Sequence, residues 1–241
     1  MSISDITFPT ADGHQMRAAL ARPDDGATHP GVIVIHEIFG LNNDIRRITA
    51  RFAELGYVAL APDLYDAPGP RIICVARTLM TLNRGSGAAF DDLDAARKFL
   101  QQQPGVEASK VGVIGFCMGG GFALLYAVRA PMGVAAAFYG DVPKTADGLR
   151  GICPVLGGYG GQDKMFASQG ERLEKLLTEL NVDHDVKTYP DAGHSFMSQN
   201  SGILAAIGRI SPMHAGYNSV AAEDSWKRIE SFFAKHLQRA A

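Results

Sequence analysis

With 241 residues the chain has room for one large α/β domain or two small ones, and 46% hydrophobic against 20% charged residues is enough to bury a core. A net charge of -2 with no basic run excludes an electrostatic nucleic-acid binder, and no apolar stretch reaches membrane-spanning length. Three sparse cysteines without a C-x-x-C pair argue against a disulfide framework or zinc site; with an N-terminus lacking signal-peptide order, they predict a cytoplasmic protein.

Taken in order, residues 3–8 and 16–21 read as two strands joined by a turn carrying Asp12-Gly13, a hairpin signal. A polar Pro/Gly loop over 23–30 leads into 31–36, a continuous apolar run suited to a strand buried on both faces. The spacing predicts a helix over 44–55 stopped by Gly56, a strand over 57–61, a short helix over 74–82 and a longer one over 91–102. Further strands are predicted at 111–114, 133–139, 154–159 and 184–189, with helices from 122, over 169–180 and over 220–237. The stretch 200–218 reads as irregular. Strands alternating with helices imply an α/β fold: a mostly parallel central sheet with helices on both faces, in a single domain spanning 1–241.

Between the strand at 111–114 and the helix after it lies Gly115-Phe116-Cys117-Met118-Gly119, a G-x-nucleophile-x-G pattern with cysteine at its centre. So sharp a turn holds its central residue in a strained conformation, and side chains at 115 and 119 would collide. The thiol is thereby lifted to the carboxyl edge of the sheet at a helix N-terminus, which favours the thiolate. Cys74 and Cys153 read as packed small hydrophobes.

A reactive thiol needs a base and an orienting carboxylate. Glu37, Cys117, Asp163 and His194 all fall just after predicted strands, where ligands of parallel sheets bind. Of seven histidines, His194 follows a strand on a Gly-containing loop, while His36 closes a buried strand and reads as structural. The order Cys117, Asp163, His194 is nucleophile, acid, histidine, the order of the α/β-hydrolase fold. Asp163 is preferred over Asp191, which sits three residues before His194 and reads as a turn residue. Backbone N–H groups of Met118 and Ile38 are the expected oxyanion hole. His36-Glu37 starts like H-E-x-x-H, but Gly40 stands where the second histidine belongs, so zinc is rejected and no metal or cofactor is expected. Glu37 beside a thiol–imidazole pair can accept the thiol proton.

These residues together resemble the dienelactone hydrolase family, the carboxymethylenebutenolidases and their relatives. The resemblance rests on His-Glu-Ile-Phe-Gly-Leu at 36–41, Ala-Pro-Asp-Leu-Tyr at 61–65, Gly-Phe-Cys-Met-Gly-Gly at 115–120, Gly-Gly-Gln-Asp at 160–163 and Ala-Gly-His-Ser-Phe at 192–196. It implies a Cys117–His194–Asp163 triad, with Glu37 helping to switch the thiol to thiolate, and hydrolysis of a small ester or lactone through an acyl-cysteine intermediate. Dienelactone-cleaving members carry an arginine four residues after the catalytic histidine; Ser198 stands there here. The expected partner is a small-molecule ester or lactone, with no nucleic acid or membrane, in a monomer or homodimer. Two other readings are a non-catalytic small-molecule binding protein on the same scaffold and a thiol redox protein, the latter disfavoured by the lack of a nearby resolving cysteine.

Overall fold

In the computed structural model eight strands of five to eleven residues, with connecting helices, form a mostly parallel sheet among the described residues. The structure describes residues 1–200 and 203–238. Two compact units divide the chain, Met1–Ile114 and Gly115–Ala241.

In the first unit, β1 (Ser2–Pro9) and β2 (Gln15–Arg22) form the expected antiparallel hairpin, with Gly13 at φ +87° in its turn. β2 pairs antiparallel with β4 (Val58–Pro62), and β4 parallel with β3 (His29–Ile35). The hydrogen-bonded order is β1-β2-β4-β3, followed by β5 (Val106–Phe116), whose last two residues open the second unit. Val32, Ile33, Val34 and Ile35 are wholly buried, the continuous apolar signature of a strand covered on both faces. α1 (Asn43–Glu54) starts where the Asn42 side chain accepts from the Ile45 N–H, and α2 (Arg71–Arg84) and α3 (Ala88–Gln101) follow. α2 is longer than its periodicity predicts, because Pro70 opens it and left-handed Gly85 ends it.

In the second unit, α4 (Met118–Arg129) begins directly after Cys117, with Gly119, Gly120 and Gly121 inside its first turns. The sequence reading starts this helix at Phe122, since glycine disfavours helix interiors. β6 (Val134–Phe138), β7 (Val155–Gly160) and β8 (His184–Tyr189) pair in parallel in that order. α5 (Ala167–Glu179) crosses between β7 and β8. Residues 200–218 are not irregular throughout: 201–202 lie outside the described residues, and Ile203–Ile210 form α6. Its eight residues include Gly208, too short a run to register as a helical period. α7 (Ser219–Phe233) closes the unit, capped by Asn218 and continued by a π-helical turn, Ala234–Gln238. No helix among the described residues is long and apolar enough to cross a membrane.

Candidate active site

The chemistry-bearing loops of the second unit follow β5, β7 and β8. Cys117 sits between β5 and α4 at φ 55°, ψ -122°, a left-handed backbone rare for a side-chain-bearing residue. Its N–H donates to the Phe138 carbonyl at 3.0 Å and its carbonyl accepts from Gly120 N–H at 2.9 Å, so the strained turn is bonded on both sides. Gly115 has the expected cause: a Cβ there would overlap the backbone carbonyl of Gly119. Met118, the residue expected to lend an oxyanion donor, is the first residue of α4.

Asp163 and His194 come together as the sequence reading requires. His194 Nδ1 lies 2.6 Å from Asp163 Oδ2, with both residues buried. The other oxygen, Oδ1, accepts from the N–H groups of Met165 (3.0 Å) and Phe166 (3.1 Å) at the entry to α5. With both carboxylate oxygens engaged, the imidazole is held in the tautomer that carries its proton on Nδ1. Nε2 is buried without a hydrogen bond of good geometry inside the unit, and the Cys117 thiol is close enough to act on the ring. Burial favours the neutral imidazole, but the bond to Asp163 and then the interaction with Cys117 override it, and His194 is pushed up to about 10. Asp191 is exposed, and its carbonyl accepts from the Asn218 side chain at 3.0 Å.

Two aromatic rings flank His194 that the sequence reading does not single out. Tyr139 lies 5.1 Å from it and Phe166 5.0 Å, centroid to centroid. Tyr139 also adopts a left-handed backbone, φ 43°, and its hydroxyl is 3.1 Å from that of Ser198. Ser198, at the position where an arginine is expected in dienelactone-cleaving proteins, is thus a buried hydroxyl. Tyr139 directly follows a strand, but that signal is shared by many residues.

Glu37 and Ile38 belong to the first unit. Glu37 is 2% exposed and makes the turn after β3, its carbonyl accepting from Gly40 N–H at 3.0 Å. Ile38 is 39% exposed. His36 is structural in its bonding: Nδ1 donates to the Glu37 carbonyl (2.7 Å) and Nε2 accepts from Leu64 N–H (3.0 Å), while burial lowers its pKa and keeps the ring neutral. Among the described residues no cluster of three or more His, Cys, Asp or Glu side chains could hold a metal.

Known proteins resemble this chain in sequence and in architecture. The model of the dienelactone hydrolase family matches residues 16–237. A Synechocystis protein described as "Putative carboxymethylenebutenolidase" is 33% identical, over 97% of this chain and 96% of its own. A Salmonella typhimurium protein of the same description is 34% identical, over 96% of this chain and 87% of its own. Among solved structures, a dienelactone hydrolase-like promiscuous phosphotriesterase from metagenomic libraries superposes with a TM-score of 0.81 at 28% identity, over 98% of this chain and 99% of that one.

Proposed function

The chain belongs to the dienelactone hydrolase family, and on that premise we propose that it hydrolyses small esters or lactones through an acyl-cysteine intermediate. The observation that carries this reading is the 2.6 Å bond between Asp163 and His194, beside a cysteine held at φ 55° on a strand-to-helix turn. His194 takes the Cys117 proton, and the thiolate attacks the substrate carbonyl to form a tetrahedral oxyanion. The N–H of Met118, at the start of α4, is the donor this unit offers to that oxyanion. Collapse of the intermediate breaks the ester C–O bond, and the imidazolium returns its proton to the leaving oxygen. A water molecule, deprotonated by the now neutral His194, then attacks the thioester and releases the acid and the thiol.

Asp163 orients the ring and stabilises imidazolium. The substrate we propose is neutral, or only weakly selected for charge, because Ser198 offers a hydroxyl where a guanidinium would bind a carboxylate. The test is a panel of activated esters and lactones, the dienelactone included, assayed with wild type and Cys117→Ala. Wild-type turnover lost in the alanine variant is the expected result. Turnover kept by Cys117→Ala sinks the acyl-cysteine reading, and no turnover of any ester or lactone leaves a binding protein on a hydrolase scaffold. Iodoacetamide should also label Cys117 ahead of Cys153, whose thiol burial pushes up to about 12, and ahead of buried Cys74.

A further inference from the structure

The base stands on a loop whose shape is imposed from outside. After β8 ends at Tyr189 the chain turns through Asp191, Ala192 and Gly193 to His194, and then passes Ser195 in a left-handed conformation, φ 54°. Such a backbone persists only where its surroundings fix it. On one side the loop is tied to the acid: the Gln162 N–H, next to Asp163, donates to the Ala192 carbonyl at 2.9 Å. On the other side runs the stretch 211–218 between α6 and α7. There His194 N–H donates to the Met213 carbonyl and the His194 carbonyl accepts from Gly216 N–H, both at 2.9 Å. The approach is so close that a Cβ on Gly193 would overlap the His214 carbonyl. The same stretch reaches the acid's loop, where Lys164 N–H donates to the Pro212 carbonyl at 3.1 Å.

Asn218 is where this stretch is anchored. Its side-chain amide donates to the Asp191 carbonyl (3.0 Å) and its backbone N–H to the Phe196 carbonyl (3.0 Å), which closes the loop before and after His194. Its side-chain oxygen accepts from Ala221 N–H at 3.1 Å, capping α7, so the clamp is fixed to a helix whose Ala221, Ala222, Trp226 and Ile229 are buried. We infer that Asn218 is a positioning residue for His194, an inference that rests on the hydrolytic reading above. It acts through the loop backbone, holding Nδ1 on Asp163 and the ring at the distance the thiol requires.

The experiment separates the clamp from the cap. Asn218→Ser and Asn218→Asp keep an oxygen that caps α7 but remove the amide donor to Asp191, whereas Asn218→Ala removes both. In the serine and aspartate variants kcat should fall about ten- to a hundredfold, with KM within about twofold and Tm within about 2 °C of wild type. The low-field proton resonance of the His194 Nδ1–H should broaden or disappear, as a loosened loop admits exchange with water. The alanine variant should lose Tm in addition. Wild-type kcat and an unaltered proton resonance in the serine and aspartate variants overturn the inference and leave Asn218 a helix cap. A kcat that falls only in step with Tm across all three overturns it equally. Should the wild type hydrolyse no ester, the hydrolytic reading fails, and the proton resonance still decides whether Asn218 holds the ring.

Discussion

Replacing Asp163 by asparagine isolates what the carboxylate does for the base. The structure dictates how the amide sits. The oxygen at Oδ1 is claimed by the N–H groups of Met165 and Phe166, so the new NH₂ must take the place of Oδ2 and face His194 Nδ1. There it can only donate, which forces the ring proton onto Nε2 and leaves no lone pair there for the thiol proton. The charge is lost as well. The rise of His194 from 6.5 to about 10 corresponds to about 5 kcal/mol in favour of imidazolium, shared between Asp163 and Cys117. Wrong tautomer and lost charge together should lower kcat by about 10³- to 10⁴-fold. Stability should change much less, since Oδ1 still accepts its two backbone N–H groups at the start of α5. The assay is steady-state hydrolysis of an activated ester, with thermal unfolding measured alongside. A variant keeping more than about a tenth of wild-type kcat would refute the assignment. So would Asp191→Asn proving the more damaging change, because Asp191 is exposed and lends the loop only its carbonyl.

Gly115→Ala should be severely destabilising, by more than about 3 kcal/mol in urea unfolding, because its Cβ meets backbone rather than a side chain that can swing away. Gly13→Ala, with open space but φ +87°, should cost only about 1 kcal/mol; equal costs would undo the steric account of the elbow. Asp92 is pushed up to about 6, chiefly by burial, so the folded state holds its proton more tightly than the unfolded chain. The favourable contribution is present below the unfolded pKa near 3.8 and is lost as pH rises through about 6. Asp92→Asn should therefore stabilise at pH 7.5 by about 1 kcal/mol after discounting solvent screening, and by nothing measurable at pH 3.5; the reverse ordering in urea melts would contradict the burial argument. Glu37→Gln should slow acylation and change the pH–rate profile of hydrolysis, and an unchanged profile would confine Glu37 to shaping the turn after β3.

What the sequence determines here is what short-range physics fixes. A Val/Ile-rich run marks a strand, Gly56 at φ +85° stops α1, and no residue but glycine fits at 115 beside a carbonyl four residues on. The chain order of Cys117, Asp163 and His194 is likewise a property of the string, and the fold only has to bring strand ends together for it to matter. The tertiary structure decides everything that depends on who approaches whom. The reading of 200–218 as irregular misses α6, whose eight residues, Gly208 and Arg209 among them, are too short a run to show a helical period. It misses the clamp of 211–218 on the histidine loop too, because those bonds use backbone groups, and every residue carries the same ones. The rings of Tyr139 and Phe166 reach His194 only after β6, β7 and β8 align in parallel, and nothing in their local sequence distinguishes them from other aromatic residues of the core. Side-chain identity is written in one dimension, whereas the surroundings that hold an imidazole charged are assembled from loops far apart along the chain.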